Sequence, residues 1–530
     1  MEFLLISSPE LTAAPPSLGA LLADVPLRNP HQPGLKFYGF DGLFLTSNEM
    51  SADEVSAIGF DGSAFGDTRA YNSFLNSPPS HAKMANFLDG AMDSENKSAL
   101  RGIFCTVRVN PHTRAFNIAT DPMAAYPVLI CGFGETLIVS NNLNLIETAV
   151  YAFGLSLTRT SKSLAMAMGF GMPLGNRTGF REVSLLPPGK MIAGLGPNWR
   201  IIEQAPTALP SYEAKRDYFE QLTSRAKHNV SVCRKLLGTE TVTHRSRNPD
   251  LASLLSAGTG IDMAADHSER LWRIRNTSGV APLSAEDLGR PFGVPTLSAT
   301  YDNSLALLGQ PAPARALFWR APFTNLLAFS NNDPVYFAAL AASFKRQGRF
   351  TAGMALEMAR RHLHEQKLLK RSFLRQGMEA FIEQLIGPND SGADYCTTGL
   401  GTTRLRNETI ALTTENHSAP VFAPFVDPMF AAGNINNRTL GIDGEKVLGA
   451  IRKSQLARTA KQNDKQKSTT NGAELWTHAV SMVNRLTTGA DCWAFLDRKK
   501  TLAFLANSKN RSKYPDVVVP LFQVFQWIAR

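Results

Sequence analysis

Cysteine is scarce in this chain: five residues in 530, scattered and without a CxxC pair. Such spacing excludes a disulfide framework and a thiolate zinc site, and it fits a reducing cytoplasm without structural metal. The ten histidines also lack metal-ligand spacing; His362 and His364 come nearest, and two positions apart they diverge on a helix. No apolar run approaches ~20 residues, so no transmembrane helix and no membrane partner are expected. The opening Met1-Glu2-Phe3-Leu4-Leu5-Ile6 lacks a basic n-region and a long apolar h-region, and it reads as a first strand rather than a signal peptide. RNP patterns, zinc fingers and helix-turn-helix signatures are missing too, which excludes sequence-specific nucleic-acid recognition through those modules.

What is present is ordinary globular composition, 44% hydrophobic and 19% charged. At 530 residues the chain is too long for one core and suggests two or three domains. The formal charge of +10 is unevenly placed. Lys345, Arg346, Arg349, Arg360, Arg361, Lys367, Lys370, Arg371 and Arg375 crowd one helical stretch, and Arg452, Lys453, Arg458, Lys461, Lys465 and Lys467 form a second cluster. These are either solvated helix faces or places where phosphate or an anionic polymer is met.

Residues 1–200 are strand-rich with Pro, Gly, Asn and Ser punctuation, and Gly194 to Leu209 reads as a final strand followed by a linker. The pattern changes at Tyr212, where Tyr212 to Leu237 is amphipathic at helical spacing. A strand at 240–243, a helix from Leu251, another from Ser284, a largely helical stretch from Asp333 to Leu385 and a helix over Gly444 to Gln462 follow. Strands alternating with helices predict a parallel sheet with helices on both faces. Lys461 to Asn471 is polar and reads as a mobile loop. The expected fold class is therefore α+β followed by α/β: an antiparallel two-sheet domain over 1–200, then a helix-rich parallel-sheet domain over 212–530.

Between Arg101 and Ile192 the chain reads Gly102-Ile103-Phe104-Cys105-Thr106-Val107, then Asp121-Pro122-Met123-Ala124-Ala125-Tyr126-Pro127-Val128, then Ser140-Asn141-Asn142, and finally Leu186-Pro187-Pro188-Gly189-Lys190. The order and spacing resemble the latter half of the glutaminase-like (Ntn) domain of the asparagine synthetase family. That family shows a Gly-x-Phe strand, an Asp-Pro-x-Gly-x-x-Pro turn, a Ser-rich strand end and a Leu-Pro-Pro-Gly exit. In glutamine-using members a cysteine follows the initiator Met, and its amino group is the base for its own thiol. Here position 2 is Glu2, and Cys105 sits inside an apolar strand, where cysteine behaves as a small buried hydrophobe. Glutamine hydrolysis is not expected.

The resemblance also implies an ATP-pyrophosphatase-type second domain. Its Ser-Gly-Gly-x-Asp-Ser phosphate loop would fall on Ser246-Arg247-Asn248-Pro249-Asp250-Leu251. Ser246 and Asp250 hold the outer spacing, but both glycines are gone and Pro249 has no N–H. Ser256-Ala257-Gly258-Thr259-Gly260-Ile261-Asp262 is a competing placement. Taken alone, Ser-x-Asn-Pro-Asp is a turn and helix N-cap. A Gly-x-Gly-Gly-Glu-x-x-Arg motif would fall on Gly353 to Arg360, bringing Glu357 and Arg360, although Ala355 and Leu356 make that segment a good amphipathic helix. Ala423-Pro424-Phe425-Val426-Asp427-Pro428 matches the family's Pro-Phe-x-Asp turn.

What the resemblance implies is an ATP-dependent amide-forming ligase that adenylates a small-molecule or peptide carboxylate without hydrolysing glutamine, as in β-lactam synthetase and lasso-peptide cyclase relatives. Ser246 and Asp250 would border ATP, with Asp250 on Mg²⁺. Glu357 and Arg360 would act near the adenylate, and Lys453 or Arg458 would neutralise pyrophosphate. The lost glycines keep a second reading open: a catalytically inactive relative retained as a scaffold or binding partner.

Overall fold

The computed structural model describes most of residues 1–65, 101–161 and 176–204, the segments 368–373 and 472–513, and single positions such as Asn229, Leu521 and Phe525. Two six-stranded antiparallel sheets organise the first part. One contains β1 (Phe3–Ser7), β2 (Lys36–Phe40), β3 (Leu43–Ser47), β8 (Leu129–Phe133), β9 (Thr136–Ser140) and β10 (Val183–Leu185), in the order β10-β8-β9-β1-β3-β2. The other contains β4 (Met50–Ala52), β5 (Ala57–Phe65), β6 (Arg101–Val109), β7 (Ala115–Thr120), β11 (Lys190–Leu195) and β12 (Asn198–Glu203), in the order β12-β11-β7-β6-β5-β4.

β1 shows why the chain folds this way. Its sequence FLLIS is apolar up to its last residue and wholly buried. A strand without polar alternation needs cover on both faces. It finds that cover in the middle of its sheet, paired with β3 on one side and β9 on the other. Leu4 and Ile6 pack with Phe44, Cys131 and Ile138 against two helices, α1 (Pro16–Ala23) and α2 (Leu143–Ala152), through Leu18, Leu22, Leu143, Ile146 and Val150. Alternation along the strand then turns Phe3 and Leu5, both fully buried, to the opposite face. That face meets the second sheet: Ser7 Oγ donates to the Gly196 carbonyl at 2.8 Å, in the turn between β11 and β12.

The connection from β7 to β8 is a tight turn over Asp121 to Val128. Asp121, 1% exposed, accepts from the Ala125 and Tyr126 amides at 3.0 and 2.8 Å. Ala124 has φ 47°, the left-handed region that L side chains avoid at a cost of ~1–2 kcal/mol. Ala124 thus holds a backbone conformation that glycine adopts without strain.

Among the described residues the expected N-terminal antiparallel two-sheet arrangement is met, with β12 ending at Glu203. One contact crosses the expected boundary at 200–212: Arg101, 1% exposed at the head of β6, donates to Asn229 Oδ1, and Asn229 is itself buried. A charge buried this deeply needs fixed partners, and Asn229 supplies one to the two-sheet unit. At the C-terminal end, α3 (Gly472–Arg485), a 3₁₀ turn (Asp491–Ala494), α4 (Arg498–Ala506) and α5 (Ser508–Lys513) gather around Trp476, Trp493 and Phe495 together with Leu368, Leu369 and Phe373. Lys370, read above as part of a basic cluster, donates through Nζ to the Trp493 carbonyl and so helps to close this core. The predicted parallel sheet of 212–530 and the loop at 461–471 lie outside the described residues. No helix among the described residues is long and apolar enough to cross a membrane.

Candidate functional site

Polar side chains converge at the head of β1, between the two sheets. The Met1 side chain is fully buried, and its Sδ lies over Gly59 of β5, 2.2 Å from where a Cβ there would be. The Met1 amino nitrogen is 3.0 Å from Asp61 Oδ1. Asp61 Oδ2 accepts from the Tyr126 hydroxyl, which in turn accepts from Asn141 Nδ2 at 2.7 Å. Asn141 also donates to the Met1 carbonyl at 3.0 Å and accepts from the Phe3 amide at 3.1 Å. One side-chain amide thus acts as a strand partner for β1 just beyond the end of β9. Each such bond contributes about 1 kcal/mol, and leaving a buried group unpaired would cost more.

Glu2 is held in the same way. It is fully buried; its amide donates to Asn48 Oδ1 at 2.7 Å, and its Oε2 accepts from Asn142 Nδ2 at 2.8 Å. Asn142 meanwhile caps α2 by accepting from the Asn144 amide at 2.9 Å. The Ser140-Asn141-Asn142 strand end therefore does three jobs: it ends β9, starts α2 and clamps the head of β1. Ser140 Oγ adds a 2.6 Å bond to the Phe3 carbonyl.

Cys105 lies on β6 in register with Asp61, so both side chains leave the same face of the second sheet, the one turned toward Met1. It is 0% exposed, and its Sγ is 3.9 Å from the Thr106 carbonyl. No substrate carboxamide reaches a thiol with no exposed surface. The other described thiols are equally unsuited: burial, with the Glu182 charge adding, pushes Cys131 up to about 12, and burial pushes Cys492 up to about 12 against opposing backbone hydrogen bonds. A nucleophilic thiol needs the opposite shift. Among the described residues no group of three His, Cys, Asp or Glu side chains could hold a metal ion.

Ser246, Asp250, Glu357, Arg360, Lys453 and Arg458 all lie outside the described residues. Sequence reading missed Asp61, Tyr126 and Asn48. Asp61 had left a signal, a carboxylate in the middle of the strand AIGFDGSAF where apolar residues predominate.

No protein-family model matches the chain, and no curated protein matches it. Among solved structures it is similar to the glutamine phosphoribosylpyrophosphate amidotransferase of B. subtilis complexed with ADP and GMP, at 10% identity and a TM-score of 0.25, over 46% of this chain and 60% of that one. A second structure, described as the allosteric regulatory enzyme of purine biosynthesis, matches at 9% identity and a TM-score of 0.25, over 46% and 59%. The match thus spans less than two thirds of either protein's own length, and similarity at that level carries no assignment of fold family or activity.

Proposed function

We propose that this chain is an asparagine-synthetase-like protein whose glutaminase-like domain hydrolyses no glutamine and serves as rigid support for the rest of the polypeptide. The observation that supports this is the filling of the head of β1. The Met1 side chain sits over Gly59, and Glu2 is walled in by Asn48 and Asn142, where glutamine-using relatives place their nucleophile. The left-handed Ala124 at the motif's glycine position supports the family resemblance independently. Incubation of the full chain with glutamine is expected to release no glutamate above background, with wild type and Cys105→Ser indistinguishable. Release that vanishes in Cys105→Ser would overturn the reading.

For the remainder of the chain we propose carboxylate adenylation by ATP followed by attack of an amine on a small-molecule or peptide substrate. Ser246 and Asp250 would flank the phosphates with Mg²⁺ on Asp250, Glu357 and Arg360 would lie near the adenylate, and Lys453 or Arg458 would face pyrophosphate. Arg247 and Pro249 stand where backbone N–H groups should approach the nucleotide. Two lost charge-assisted N–H contacts, at roughly 1.5–3 kcal/mol each, weaken binding by about two to four orders of magnitude. Calorimetry with ATP and Mg²⁺ is expected to show weak binding that disappears in Asp250→Ala. Absence of binding at millimolar nucleotide would leave the scaffold reading, which the missing glycines of 246–251 favour.

A further inference from the structure

Outside that site, among the described residues, a run of cations lies on two short helices, α4 and α5. From Arg498 to Lys513 the sequence carries Arg498, Lys499, Lys500, Lys509, Arg511 and Lys513, and no carboxylate. Arg498, Lys499, Lys500 and Lys509 are exposed. Arg498, Lys499 and Lys500 occupy the first turn of α4, the end of a helix whose dipole repels cations. Residues placed against the local electrostatic preference are candidates for function rather than stability. Asp497 offsets part of this charge: it caps α4 by accepting from the Lys500 amide at 3.1 Å and lies 3.5 Å from Lys500 Nζ. Arg498 is steadied from below, its guanidinium carbon 5.9 Å from the centre of the buried Trp493 ring.

We propose that the exposed cations Arg498, Lys499 and Lys500 of α4 and Lys509 of α5 bind the phosphate backbone of nucleic acid without reading its sequence. This goes beyond the proposed function and does not depend on it. Density of cations on adjoining helices is the footprint of such binding. An anionic membrane is the weaker candidate, because the apolar residues of α4 turn inward. Thr501 and Leu505 are buried, and Leu502 and Phe504 pack on the C-terminal core, so no large apolar side chain of α4 is left to enter lipid.

The test is fluorescence anisotropy of the full chain with labelled single-stranded oligo(dT) and a mixed-sequence 20-mer duplex across a salt series. Contact with about four phosphates predicts a log–log salt slope near −3 to −4 on duplex, so affinity falls about a hundredfold from 50 to 200 mM salt. Combined Lys499→Glu, Lys500→Glu and Lys509→Glu should weaken binding at least tenfold and flatten the slope. A Lys36→Glu plus Arg200→Glu control, at exposed positions on β2 and β12, should change it far less. Acidic residues suit the first turn of a helix, so the variant should keep its thermal midpoint and lose only binding. Should it fail to fold, the corresponding Gln substitutions read the same effect at reduced size. Equal binding by variant and wild type overturns the proposal, as does no wild-type binding below 100 μM at 50 mM salt. Capture by phosphatidylserine vesicles without oligonucleotide binding overturns it as well.

Discussion

Gly62→Ala is expected to destabilise the two-sheet domain by about 2–4 kcal/mol. Gly62 has φ +96°, and a Cβ there would lie 2.2 Å from the Ile103 carbonyl oxygen and 2.9 Å from Phe104 Cα. Both neighbours are backbone of β6, so no side chain can swing aside. The dihedral alone costs ~1–2 kcal/mol, and separating β5 from β6 weakens one or two ladder hydrogen bonds at about 1 kcal/mol each. For a domain of this size the thermal midpoint should fall by roughly 5–15 °C. Gly39→Ala on the edge strand β2 is the control, since a Cβ there meets nothing within 4 Å. A melt in which Gly62→Ala and Gly39→Ala coincide would show that β5 and β6 are not packed as described.

Asp121→Ala should have a comparable effect for a different reason. It strands the buried amides of Ala125 and Tyr126, now bonded at 3.0 and 2.8 Å. An unsatisfied buried donor costs ~1–3 kcal/mol, so the pair amounts to about 2–5 kcal/mol. The damage should spread to the head of β1, because this turn aims the Tyr126 hydroxyl at Asp61 and Asn141. Asp121→Asn keeps one acceptor oxygen but turns an amide NH₂ toward a peptide N–H, and should fall between wild type and alanine. Urea titration of the three proteins checks the order. Equal midpoints for alanine and wild type would mean that the turn is held by its backbone alone.

Framework was more legible than chemistry, and particular residues show why. FLLIS and the Phe104–Val107 run announced buried strands because burial on both faces leaves little place for polar side chains. The Asp121–Pro127 turn was readable because a left-handed position and two amides needing acceptors demand a specific local pattern. Cys105 read as a buried strand residue and is one, for it stands in an apolar segment.

Asp61, Asn141 and Glu2 bind groups 60, 140 and 140 positions away, and no local pattern encodes which strand will lie opposite them. By itself the sequence determined that the described strands of the N-terminal part form antiparallel sheets, because period, turn chemistry and burial are properties of neighbours along the chain. That the head of β1 is filled by Met1 over Gly59 and clamped by Asn141 was decided only by tertiary structure. Which polar groups meet between two sheets depends on strand order and register, and these are set when the apolar faces are buried together.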